Sequence, residues 1–148
     1  MGNRFTIFVL LAAVAPALIF QVEAQPADTH GLRSSLSGVY TAAQAERGHQ
    51  LYLNRCQRCH SVGFAGGGGG APAFGGPTFN GDFEGFTLFD LENRIHTSMP
   101  RDQPGTTTRP QATDLVAFIL SQMHAPPGRA ELPADEPFLR LIRIETPP

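Results

Sequence analysis

Cys56-Gln57-Arg58-Cys59-His60 is the stretch that decides how this chain is read. Residues three and four apart on a helix share a face. Cys56 and Cys59 can therefore bond the two vinyl groups on one edge of a porphyrin as thioethers. His60, next in line, can then place an imidazole nitrogen on the iron from the same side. C-x-x-C alone would be ambiguous, and the trailing His makes the pattern a c-type haem attachment signal.

What surrounds the motif suits that reading. Residues 1–24 carry the marks of a secretory signal. Arg4 supplies a minimal positive region, Phe5 to Phe20 is apolar apart from Thr6, and Val22-Glu23-Ala24 ends in a small residue. The alternative is a retained membrane anchor, for which the apolar run is short and broken by Pro16; a span needs about 20 residues. Export and haem attachment support each other, because c-type attachment in bacteria takes place outside the cytoplasm. At 148 residues the chain has room for one domain. It has 2 cysteines, both in the motif, which leaves no structural disulfide to assign. The net charge of −2 is uninformative, but all 11 basic residues are Arg. They form no basic stripe, so nucleic acid is not an expected partner.

Downstream of the signal, residues 25–40 read as a flexible arm, 41–128 as the domain and 129–148 as a tail. Thr41-Ala42-Ala43-Gln44 has the form of a capping box and opens a helix expected to reach Arg55. Gly48 inside it costs roughly 1 kcal/mol against Ala, a cost that makes sense if a second helix crosses there; Tyr52 lies one turn on. Residues 61–82 are rich in glycine. A phosphate-cradling loop would need a following G-K-[ST], and the chain has no Lys, so a loop is the reading. Thr87 and Asp90 start a second helix, striped by Leu88, Leu91 and Ile95 and ending near His96 or Thr97. A Pro/Gly/Thr loop leads to a last helix from about Gln111 to Met123, stopped by Pro126-Pro127. The tail segment Phe138 to Ile144 is too apolar for a free end: it packs back on the domain or docks a partner. No internal repeat is visible.

The order helix, C-x-x-C-H, Gly/Pro loop, short helix, Met-Pro, terminal helix resembles the class I cytochrome c family over residues 40 to 128. Ala45, Gly48, Leu51 and Tyr52 look like its first helix, and Asp114 to Leu120 like its last. The resemblance implies an all-α fold with three main helices and loops wrapped around one covalent haem c. It implies a crossing that seats Gly48 and Tyr52 against Leu115 and Phe118, His60 as proximal iron ligand and a Met on the opposite face. Met99 is the candidate, held extended by Pro100; Met123 suits packing better. Pro72, in P-x-F-x-G, is the candidate whose carbonyl accepts the His60 Nδ1–H, with Pro77 as fallback, and Arg58 and Arg101 are candidates for the propionates. Gly38 to Thr41 and the tail look similar to small exported bacterial cytochromes c, some of which act beside quinoprotein dehydrogenases.

A haem ligated by His60 and Met99 has no open position, which leaves one-electron transfer. The implied partners are a donor dehydrogenase, a quinoprotein among the candidates, and a downstream cytochrome or oxidase; the implied location is the periplasm. Three other classes compete. A haem peroxidase or gas sensor would leave Met99 unbound, with His96, His49, His124 and His30 as spare imidazoles. A zinc module would use Cys56, Cys59 and His60 but lacks a paired half. A thioredoxin-like C-x-x-C lacks a βαβ setting.

Overall fold

Thr41 has an extended backbone and accepts the Gln44 N–H at 3.1 Å, which opens helix α1 (Ala42–Arg55). The reciprocal half of the expected capping box is not made. Gln44 is buried and turns its side chain to Leu132, where Nε2 donates to the carbonyl at 2.9 Å and Oε1 accepts the N–H at 2.8 Å. Buried backbone without a strand partner must be satisfied by something, and that need outranks a helix end open to water. The computed structural model describes residues 31–61 and 82–147.

The other helices follow their capping chemistry. α2 (Gln57–His60) carries the cysteine motif. α3 (Leu88–Ser98) has the full box, with Thr87 accepting from the Asp90 N–H and Asp90 from the Thr87 N–H, and it buries Leu88, Leu91 and Ile95 as its pattern predicts. It runs one residue past the expected end. α4 (Arg109–Gln122) begins two residues earlier than expected. Thr108 and Gln111 cap each other, and Pro110 sits in the first turn, where its missing N–H costs nothing. α5 (Glu136–Arg140) is capped by Asp135.

The fold is all-α, with α1, α3 and α4 as the three long helices. The only strands among the described residues are β1 (Arg33–Ser34) and β2 (Ile142–Arg143), paired in parallel with Arg33 opposite Ile142.

Gly48 is where α1 meets α4. A Cβ there would overlap the Asp114 carbonyl and lie 2.8 Å from Phe118 Cβ, so only a hydrogen permits the crossing. Tyr52 packs its ring on Phe118, with centroids 5.3 Å apart, and His49 stacks on the same ring at 4.9 Å. The expected contact of Gly48 and Tyr52 with the last helix is therefore present, carried by Asp114 and Phe118.

Residues 33–40 depart from the reading of a flexible arm. Ser35, Val39 and Tyr40 are buried, and Tyr40 Oη donates to the Ala125 carbonyl at 2.6 Å. The tail supplies the reason for the order. Leu139, Ile142 and Ile144 are buried in the same core, which answers the question left open for that segment: it packs back. The Ser35 N–H donates to the Arg143 carbonyl at 2.9 Å, and the Ile144 N–H to the Phe86 carbonyl at 2.8 Å. Two weakly patterned ends thus order each other.

Candidate haem site

α1 ends where Cys56 takes up φ −114°, ψ −38°, and the same residue starts α2. The N–H groups of Cys59 and His60 both donate to the Cys56 carbonyl, at 3.1 and 3.0 Å. The motif is therefore one tight turn, as its spacing requires. Its three side chains grade from solvent to interior: Cys59 is exposed, Cys56 half-buried and His60 buried at 7 % exposure. A flat group held by all three would have one edge at the surface and its centre inside.

Ser61 closes the turn at φ +66°, a region that non-glycine residues seldom adopt. Tyr52 Oη donates to its carbonyl at 2.7 Å, which helps hold this backbone in place. Ser61 Oγ is buried with no hydrogen-bond partner among the described residues. An orphaned polar atom beside His60 is consistent with a turn built around a bound group. Burial pushes the Cys56 thiol up to about 11, the nearby Arg55 opposing it. The unattached thiol is thus neutral at pH 7. Among the described residues, no group of three or more His, Cys, Asp or Glu is placed to hold a metal ion. The donor set fits a porphyrin stitched at Cys56 and Cys59 better than a bare ion.

Met99 is the C-cap of α3, extended at φ −120°, ψ 144°, with its N–H on the Ile95 carbonyl at 3.2 Å. The loop it begins is fastened to the end of α1 and to α2. Arg55 Nη2 donates to Thr106 Oγ1 at 2.6 Å, and Arg58 is ion-paired with Asp102. Arg58, a propionate candidate from sequence, is committed to that pair; Arg101 is exposed. Of the other candidates, Met123 is buried in the core at 4 % exposure, and His124 is exposed. His96 Nδ1 lies 2.6 Å from the Thr107 carbonyl, and His49 is engaged with Phe118. Pro72, Pro77, His30 and residues 1–24 lie outside the described residues.

Sequence reasoning missed the fastenings of this loop. The Thr108/Gln111 box was readable as T-x-x-Q, but the partners of Arg55, Arg58 and Thr107 depend on a chain reversal that no local pattern encodes.

Residues 43–119, just over half of the chain, match the family model described as cytochrome c oxidase, cbb3-type, subunit III. The chain belongs to that family. No curated protein and no solved structure matches it. Membership makes the domain a c-type cytochrome: it carries covalently bound haem c, passes electrons and meets redox partner proteins. No described helix is long and apolar enough to cross a membrane.

Proposed function

We propose that this cytochrome carries one electron at a time on a haem whose iron is held by His60 and Met99, outside the cytoplasm. The observation that carries the reading is the setting of Met99. It sits at the end of a helix, extended, in a loop tied through Arg55 and Arg58 to the same residues that present His60. When bound, the haem supplies the Fe(II)/Fe(III) couple. The chain's own part would be to hold the His60 imidazole and the Met99 thioether as donors, and a soft thioether donor would favour Fe(II). Pro72 is the proposed acceptor for His60 Nδ1–H, fixing the ring's angle.

With His60 and Met99 both holding the haem, exposed Cys59 would mark the side open to a redox partner. Docking there would be weak and small. The signal-like residues 1–24 support a periplasmic location. The similarity of the tail to exported cytochromes suggests a dehydrogenase as donor, a quinoprotein among the candidates, and a cytochrome or oxidase as acceptor.

The test is to express the full chain in a host competent in cytochrome maturation. A pyridine haemochrome assay establishes covalent haem, and the oxidised protein is scanned for a Met-to-iron charge-transfer band in the near infrared. The band is expected in the wild type and lost in Met99→Ala. A high-spin wild-type spectrum would instead favour a peroxidase or gas sensor.

A further inference from the structure

Three features lie outside the haem turn. The hollow lined by Tyr40, Glu46, His49 and Gln122 shows nothing of what would fill it. Phe86 is exposed and meets half-buried Phe83 edge-on, an arrangement that indicates no ligand. The third is a buried hydroxyl hydrogen-bonded to the backbone of a proposed ligand.

Thr107 is 3 % exposed although it lies in a loop whose preceding six residues are all exposed. Its Oγ1 donates to the Met99 carbonyl at 3.0 Å. Its own carbonyl lies 2.6 Å from His96 Nδ1. A carbonyl can only accept, so the imidazole carries its proton on Nδ1. His96 is in the last turn of α3, Met99 caps that helix, and the next residue after Thr107 caps α4. The two bonds therefore run from α3 to Thr107 and back to Met99. They close the loop across its base.

We propose that Thr107 and His96 are positioning residues that hold the Met99 backbone so that its thioether stays on the iron against competing ligands. The inference rests on Met99 being the axial ligand. A methionine bound through a loop leaves the iron whenever the loop opens. A bond to the ligand residue's own carbonyl resists that opening at its first step. Thr107→Val removes the hydroxyl at nearly constant shape and leaves the Met99 carbonyl without that donor; Thr107→Ser restores it.

The experiment titrates the oxidised holoprotein with imidazole, an exogenous ligand that must displace Met99, and follows the near-infrared band. Thr107→Val is expected to bind imidazole about tenfold more tightly than wild type, the factor a single net hydrogen bond supplies. Thr107→Ser is expected to stay near wild type. If Thr107→Val also matches wild type within about twofold, below what the lost bond should give, the inference is overturned. If Thr107→Val does not mature, His96→Ala, which removes the second bond of the closure, is judged by the same criterion. Met99→Ala separates the two readings. Loss of the band there with no effect of Thr107→Val sinks only the positioning role. A band that survives Met99→Ala sinks the ligand assignment and this inference with it.

Discussion

Tyr52 Oη and the Ser61 carbonyl, 2.7 Å apart, join the helix crossing to the haem turn. The Tyr52 ring rests on Phe118 of α4, and its hydroxyl reaches across the cysteine motif to the residue after His60. Burial pushes the phenol up, so it donates at any ordinary pH. Tyr52→Phe keeps the ring on Phe118 and removes only the donor. It is expected to cost about 1–2 kcal/mol in denaturant unfolding of the holoprotein.

Gly48→Ala places a methyl in the Asp114 carbonyl. Backbone cannot move aside as a side-chain tip can, so α1 and α4 must part. The expected loss is about 3 kcal/mol or more, at the upper end for overpacking. A thermal melt of the haem-loaded protein checks it, and a variant as stable as wild type would refute the crossing.

Gln44→Ala removes both partners of the Leu132 backbone at once. Two buried peptide groups are left unsatisfied, with an expected loss of about 2–4 kcal/mol. Hydrogen exchange at the Leu132 amide should rise in step. Unchanged protection there would mean that the amide is held by something else.

Ile142→Ala tests whether the tail belongs to the core. The side chain is fully buried, at 0 % exposure. Truncation is expected to cost about 2–4 kcal/mol, measured by urea unfolding. An effect below about 0.5 kcal/mol, the range of surface changes, would mean that the segment is detached in solution.

Glu92 gives a pH dependence whose sign can be stated. It is buried and paired with Arg109 at 2.7 Å, while Oε1 has no partner among the described residues. Burial raises its pKa, and the Arg109 charge opposes that rise without cancelling it. Between the unfolded and folded values the native state therefore holds the extra proton. The contribution to stability is full below the unfolded pKa, about 4.3, and declines as pH rises through the folded one. The melting temperature of wild type relative to Glu92→Gln should be highest near pH 4 and fall toward neutrality. A difference that is flat or rises with pH would contradict this.

The parts of the molecule legible in the sequence are those whose cause is local. Thr87 and Asp90 cap α3 because a hydroxyl and a carboxylate three residues apart meet on the first turn whatever surrounds them. Cys56, Cys59 and His60 share a turn for the same reason. Gly48 announced a close neighbour by its helix penalty alone. Gln44 misled because its sequence position suited a local bond while its burial demanded a distant one. Residues 33–40 misled because polar composition hides order that is supplied by residues about a hundred positions later. The loop from Met99 to Thr107 was expected as a loop, but its fastenings arise only after α3 and α4 turn against each other.

The pairing of Ser34 and Ser35 with Arg143 and Glu145 spans 110 residues of sequence. The chain emerges amino end first, so this contact must wait until Arg143 and Glu145 have followed. Until then the fold is not closed, and Cys56, half-buried in the closed form, is not yet in its final surroundings. The architecture thus sets a natural interval in which chemistry at the cysteines can precede closure, and long-range closure of this kind is slow.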